Sequence, residues 1–71
     1  MDMRRLVGSN VRRLRLERDL TQERFAELSG LSQQYVSDLE RGRRNPTVVT
    51  LLELAVALGA KPIDLLDEGV T

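Results

Sequence analysis

LTQERFAELSGLSQQYVSDLERG, residues 20–42, contains the signals that decide the fold: two helix starts and two helix stops. Thr21 and Ser32 are good N-caps, because a hydroxyl oxygen can accept a hydrogen bond from an unpaired amide of the first helical turn. Gly30 and Gly42 can adopt the left-handed backbone conformation that ends a helix. The stretch therefore predicts two helices joined by a tight turn, each too short to be stable alone.

The segment before this pair predicts a first helix over about residues 3–18. Its inward stripe is predicted to contain Val7, Val11, Leu14 and Arg18, which follow helical spacing. No stretch of the sequence has the alternation that is typical of a strand.

The segment after the pair predicts two more helices. Thr47 can cap a helix over residues 48–58, and Pro62 suits the first turn of a short helix over residues 62–67. The predicted apolar stripe of the former contains Val48, Leu51, Leu52, Ala55 and Leu58. Residues 1–71 are thus predicted to form one all-α domain of five helices, at about 3–18, 22–29, 33–41, 48–58 and 62–67.

The composition excludes several kinds of site. The 71 residues include no cysteine and no histidine, which removes disulfides, thiolate chemistry and the commonest metal ligand and general base. A chain of this length also has little room to enclose a substrate pocket. We therefore expect no enzyme activity, no cofactor, no metal site and no small-molecule ligand.

The sequence also argues against a membrane partner. No apolar run approaches the roughly 20 residues that a membrane helix needs. The start, MDMRRLVGSNVRR, lacks the apolar core of a signal peptide. We expect a soluble, intracellular protein.

The net charge is zero, but the charge is unevenly distributed along the chain. Residues 1–44 hold ten arginines and seven acids, a balance of +3, whereas residues 45–71 hold one lysine and four acids, a balance of −3. This asymmetry is typical of a chain with one face for a polyanion, although ordinary solvated helix faces would produce it too.

Two short helices with a glycine-containing turn form a helix-turn-helix unit, whose second helix can lie in the major groove of DNA. Three motifs follow one another along the chain: LTQERFAELSGLS, YVSDLERGRRNPT and LLELAVALGA. Through these motifs, in this order, residues 11–66 resemble the phage-repressor, or Xre/Cro-type, helix-turn-helix family. The resemblance implies a compact five-helix, lambda-repressor-like domain that binds double-stranded DNA, usually as a homodimer on a two-fold-symmetric operator.

The resemblance and helix geometry both place the base-reading residues at the start of the third helix. Gln33 and Gln34 follow the cap, and a glutamine amide can form two hydrogen bonds with adenine. Ser37 lies one turn further along the same face. Asp38 belongs to the same set, but its carboxylate would repel phosphate unless it accepts from a cytosine amino group or turns aside.

Phosphate contacts are predicted around this helix, with an ordinary solvated side chain as the alternative for each. Gln22 matches a family glutamine at the start of the second helix, where free amides can bind phosphate. The loop after the third helix has the densest positive charge. The predicted phosphate-binding residues are Gln22, Arg41, Arg43, Arg44, Asn45 and, on the first helix, Arg12.

Other positions are assigned to the scaffold and to a partner. Arg15 and Glu40 match a family pair that forms an internal salt bridge beneath the recognition helix. Val49, Val56 and Ile63 are predicted to line a homodimer contact, since exposed apolar side chains often mark partner surfaces. Isolated surface valines are the alternative.

The predicted function is a sequence-specific transcriptional regulator, a repressor or controller protein of a bacterium or a phage. We expect it in the cytoplasm, associated with the nucleoid. One alternative is an antitoxin of the same fold, for which Leu28 and the C-terminal segment are the candidate toxin-binding surface. A second alternative is a helical adaptor domain that no longer binds DNA, and the glutamines Gln33 and Gln34 argue against it.

Overall fold

The computed structural model describes residues 2–69, and its regular structure is helical, with no strand among these residues. The α-helices are α1 (Met3–Glu17), α2 (Gln22–Ser29), α3 (Gln33–Glu40) and α4 (Val48–Leu58), followed by a 3-10 helix, η1 (Pro62–Leu66). No helix within residues 2–69 is both long enough and apolar enough to cross a membrane.

The all-α class is confirmed, and the segment predicted as the fifth helix differs in geometry from the other four. The segment Pro62–Leu66 is a 3-10 helix, a tighter geometry that is used in short pieces of chain. Lys61 immediately precedes it, and the backbone amide of Lys61 donates to Asp64 Oδ2 at 2.9 Å. Helices α1 and α3 each end one residue earlier than predicted.

The turn between α2 and α3 is determined by local signals. Thr21 Oγ1 accepts a hydrogen bond from the backbone amide of Arg24, and Ser32 Oγ accepts one from Tyr35, both at 3.0 Å. Each such cap stabilises its helix by about 1 kcal/mol. Gly30 ends α2 with a φ of 75°, a conformation that costs a residue with a β-carbon more than it costs glycine.

An apolar core joins the α2–α3 pair to α1, α4 and η1. Its fully buried large side chains are Phe25, Leu39, Leu54, Leu58, Leu65, Val11 and Val36. Because two of these, Val36 and Leu39, belong to α3, one face of that short helix is held against the core and the other is left to solvent.

The predicted core face of α4 is partly wrong. Val48 is 82% exposed and Leu52 is also exposed, whereas Leu54, which the predicted stripe omitted, is fully buried. The sequence of α4, VVTLLELAVAL, is apolar almost all round, so two helical stripes fit it nearly equally well. Packing against α2 and η1 selects the stripe that contains Leu54, Ala55 and Leu58.

Arg18 does not belong to the buried stripe of α1. Its side chain lies on the surface, and its Nη1 donates to the Leu14 carbonyl at 3.3 Å. Arginine near the end of a helix commonly satisfies one of the last free carbonyls in this way. Arg15 is the arginine of α1 that is buried.

The backbones of α1 and α3 approach each other closely at Gly8. A β-carbon at this position would collide with the carbonyl oxygen of Leu39 and come within 3.1 Å of the Glu40 carbonyl. No sequence pattern indicates this contact, because a glycine inside a helix by itself signals only a weak helix former. The absent side chain sets the distance between α1 and the end of α3.

Asn10 attaches the C-terminal segment to α1. Its buried side-chain amide donates to the carbonyl of Leu65 at 2.9 Å and to that of Asp67 at 2.7 Å. These bonds satisfy two backbone acceptors that the short η1 cannot pair internally. The position of η1, and with it that of Ile63, is therefore fixed relative to α1.

Gly8→Ala should lower the stability of the domain, although alanine is the better helix former. The added methyl group has no space against α3, and overpacking of this kind costs about 1–3 kcal/mol. Thermal unfolding followed by circular dichroism would measure the change. Ser9→Ala, at the exposed neighbouring position, is the matched control and should stay within about 0.5 kcal/mol of the parent. An unchanged or higher melting temperature for Gly8→Ala would contradict the close approach of the helices.

Candidate nucleic-acid interface

The outer face of α3 presents polar side chains to solvent. Gln33 and Gln34 are exposed in its first turn, and Ser37 and Asp38 are half-buried one turn later. Positions separated by four residues lie above one another on a helix, so these four side chains share one face. A short helix that is anchored on one side and polar on the other has the shape that can enter a major groove.

A buried ion pair lies beneath α3. Arg15 of α1 donates two hydrogen bonds to Glu40 at the end of α3, from Nε to Oε2 at 2.7 Å and from Nη2 to Oε1 at 3.0 Å. The two side chains are only 9% and 3% exposed. Arg15 Nη1 also donates to the Leu20 carbonyl at 2.8 Å. The salt bridge that the resemblance implied is present, and it joins α1, the turn before α2 and the end of α3.

Gln22 is connected to the same ion pair. Its Nε2 donates to Glu40 Oε1 at 3.1 Å, which links the first residue of α2 to the last residue of α3. A carboxamide has two N–H groups, so Gln22 can hold Glu40 and still donate to a phosphate at the start of α2.

A second polar network lies on the solvent side of α3. Gln34 Nε2 donates to Asp38 Oδ1 at 3.0 Å, and Arg44 Nη2 donates to Asp38 Oδ2 at 3.4 Å. The guanidinium carbon of Arg44 lies over the Tyr35 ring, 5.1 Å from its centre, which is within the range of a cation–π contact. Tyr35 was not among the predicted site residues, because no spacing in the sequence indicates that residue 35 meets residue 44.

The loop between α3 and α4 concentrates positive charge next to α3. Arg41, Arg43, Arg44 and Asn45 are all exposed in this loop. Arg12, the remaining predicted phosphate contact, is exposed in the middle of α1 and outside the loop.

Arg5 extends this positive loop, and the sequence analysis did not include it. A β-carbon at Gly42 would come within 2.7 Å of Arg5 Cγ, so the start of α1 packs directly against the loop. The Arg5 side chain is otherwise largely exposed. Only the packing of α1 beside α3 brings these residues together, since they are far apart in the sequence.

A separate apolar face is exposed on α4 and η1. It includes all three residues of the predicted dimer contact, with Val56 69% exposed. The exposed apolar side chains of these two elements are Val48, Val49, Leu52, Val56, Ile63 and Leu66. The face is larger than the sequence predicted, because Val48 and Leu52 were assigned to the core.

A shallow cavity of about 180 Å³ lies between α1, the loop before α4, α4 and η1, with Met3, Val7 and Leu66 among its lining residues. Pockets for small ligands usually enclose about 300–1,000 Å³, so this cavity is too small to surround one. Within residues 2–69 there is no group of three or more histidine, cysteine, aspartate or glutamate residues that could hold a metal ion.

Sequence comparison identifies the domain type and a near relative. The family model described as helix-turn-helix matches residues 11–66. An uncharacterized HTH-type transcriptional regulator of Sinorhizobium fredii is 66% identical over 65 residues, covering 92% of this chain and 84% of the relative.

Solved structures share the fold. The restriction-modification controller protein C.AhdI of Aeromonas hydrophila superposes with a TM-score of 0.84 at 44% identity, covering 87% of this chain and 94% of that protein. The controller protein C.Esp1396I, solved as a tetramer in complex with its natural 35 base-pair operator, superposes with a TM-score of 0.83 at 29% identity, covering 92% of this chain and 86% of that protein.

Arg15→Ala should destabilise the domain strongly, because it leaves the buried Glu40 carboxylate without its cation. Breaking a buried pair in this way costs about 3–5 kcal/mol, a large share of the stability of a domain this small. Urea unfolding would measure the loss. Arg24→Ala is the control: its carboxylate partner Glu27, 2.9 Å away, is exposed, and such surface pairs contribute about 0.3–0.5 kcal/mol. Equal stabilities of the two variants would refute the structural role of the buried pair.

Proposed function

The chain belongs to the helix-turn-helix family, and from this premise we propose that it is a DNA-binding transcriptional regulator of the controller-protein or repressor type. The observation that supports this most is the exposed start of α3, where Gln33 and Gln34 project from a helix anchored by the buried Arg15–Glu40 pair. The fold that we assign to residues 1–71 is one lambda-repressor-like domain in which η1 takes the place of the fifth helix.

We assign base reading to the exposed face of α3. Gln33, Gln34 and Ser37 lie where side chains of a recognition helix contact base edges, and a glutamine amide matches the donor and acceptor of adenine. Phosphate contacts carry no sequence information but position the protein on the duplex. We assign them to the residues around α3: Gln22, Arg41, Arg43, Arg44, Asn45 and Arg5, with Arg12 as an outlying member.

We assign dimerisation to the apolar face of α4 and η1. A symmetric dimer would place two recognition helices about 34 Å apart, so that they read half-sites one helical turn apart. The similarity to C.Esp1396I, which was solved as a tetramer on its operator, supports an assembly of several copies on DNA. Val49, Val56 and Ile63 form the centre of the proposed contact.

The proposal includes no catalytic activity, and it places the protein in the cytoplasm of a bacterium, on the nucleoid where its operator lies. The near relative is a transcriptional regulator and the structural relatives are controller proteins. None of these observations favours the antitoxin alternative, so the exposed Leu28 is given no toxin-binding role.

Gln34→Ala and Arg43→Ala should weaken DNA binding in different ways. A duplex selected by the wild-type protein from a random pool supplies the specific target, and single-base variants of it report preference at each pair. Gln34→Ala should reduce preference at one base pair per half-site, because a good bidentate contact contributes about 1–3 kcal/mol of discrimination. Arg43→Ala should weaken binding to all duplexes alike. It should also reduce the slope of log binding constant against log salt concentration by about one, because one phosphate contact is lost. Equal losses on specific and random DNA for Gln34→Ala would argue against base reading.

Val56→Glu should dissociate the dimer, because it places a charge in the middle of the proposed apolar contact. Sedimentation velocity at micromolar concentration would show a smaller sedimentation coefficient than that of the wild-type protein. Leu28→Glu is the matched control, an exposed leucine on α2 replaced by the same charge, and it should sediment like the wild type. If Val56→Glu also sedimented as the wild-type dimer does, the assigned interface would be wrong.

A further inference from the structure

We propose that Asp38 is a positioning residue that orients the Gln34 amide and the Arg44 guanidinium before DNA is bound, and so determines which base Gln34 accepts. The proposal rests on the proposed DNA-binding function and adds to it the origin of base preference at one position. It assigns to Asp38 no direct contact with a base.

Both carboxylate oxygens of Asp38 are already engaged in the structure. Oδ1 accepts from Gln34 at 3.0 Å, and Oδ2 accepts from Arg44 at 3.4 Å. The Asp38 side chain is only 18% exposed, whereas Gln34 is exposed one turn earlier on the same face. Asp38 thus lies behind Gln34, and the arginine offsets the negative charge that would otherwise repel the DNA backbone.

The contact with Asp38 determines which way the Gln34 amide faces. An ionised carboxylate only accepts hydrogen bonds, so the nitrogen of the amide must point towards Asp38 and its oxygen must point away. The oxygen and the second N–H of the amide are then left free for a base, and the side on which each one lies is fixed. Adenine presents an N6 amino donor beside the N7 acceptor, and this matches that order, whereas guanine presents two acceptors.

The same carboxylate restrains Arg44. The guanidinium donates to Asp38 Oδ2 and lies over the face of the Tyr35 ring, so two contacts restrain this long side chain at the end of α3. An arginine has five N–H groups, and most of them stay available for a phosphate. Ordering the side chain in the free protein reduces the entropy lost when DNA binds.

The test compares base preference among variants on the duplex that the wild-type protein selects. The adenine pair is identified as the one at which Gln34→Ala loses preference. Asp38→Ala should reduce preference at that same pair by about fivefold, the low end of what a bidentate contact provides. In the Gln34→Ala background, Asp38→Ala should cause no further loss at that pair.

Two further variants separate orientation from charge and shape. Asp38→Asn keeps the shape of the side chain, but an asparagine can either accept from or donate to Gln34, so preference should relax as it does in Asp38→Ala. Glu23→Ala removes one acid from the first turn of α2, and it should raise affinity for all duplexes slightly while leaving preference unchanged. Melting temperatures of all variants identify any loss of folding.

The outcomes are distinct. If Asp38→Ala and Asp38→Asn keep the adenine preference and bind all duplexes more tightly, Asp38 is only a repelling charge and the proposal is overturned. If preference is lost at a different base pair, Asp38 reads a base directly, which also overturns it. If the wild-type protein prefers no duplex over random DNA, the proposed function itself fails, and the proposal about Asp38 falls with it.

Discussion

The bidentate hydrogen bond between Arg15 and Glu40 is the contact on which the geometry of the recognition surface depends. It joins the last turn of α1 to the last residue of α3. Further hydrogen bonds connect the same pair to the Leu20 carbonyl, in the turn before α2, and to Gln22, the first residue of α2. A buried ion pair adds little net stability compared with apolar packing, because desolvation offsets the attraction. Its main effect here is on geometry. The two buried charges must stay in hydrogen-bonding contact, so α1, α2 and α3 can adopt few relative positions.

The rest of the structure divides the surface into two faces with different chemistry. Around α3 the side chains are amides and arginines, and some of these are already ordered by Asp38 and Tyr35. On α4 and η1 most of the large exposed side chains are aliphatic, and the exposed Glu53 lies among them. A chain of about this length buries only about 60% of the surface that its unfolded form exposes, so covering the aliphatic face with a second copy would add stability as well as set the spacing of two recognition helices.

Prediction from the sequence was most reliable where the cause is local. The caps at Thr21 and Ser32 and the turn at Gly30 occur as predicted, because each depends on hydrogen bonds or backbone angles within a few residues. Prediction failed where contacts between different helices determine the structure. Helix α4 is apolar almost all round, so either of two helical stripes could form its buried face. The segment that begins at Pro62 is compatible with an α-helix or a 3-10 helix. The roles of Tyr35, Arg5 and Gly8 depend on contacts with residues distant in the sequence, and no local pattern indicates them.

The residues alone are enough to predict that this chain is helical, that it contains a helix-turn-helix pair, and that amides and arginines cluster around the second helix of that pair. These features follow from helix capping, periodicity and residue type, which act over one or two turns of chain. Three other features depend on how the helices pack: which face of α4 is free, how closely α1 approaches α3, and which hydrogen-bonding groups of Gln34 and Arg44 remain available to a partner. Those features depend on side chains from different helices competing for the same space and the same hydrogen bonds, and that competition exists only once the chain is folded.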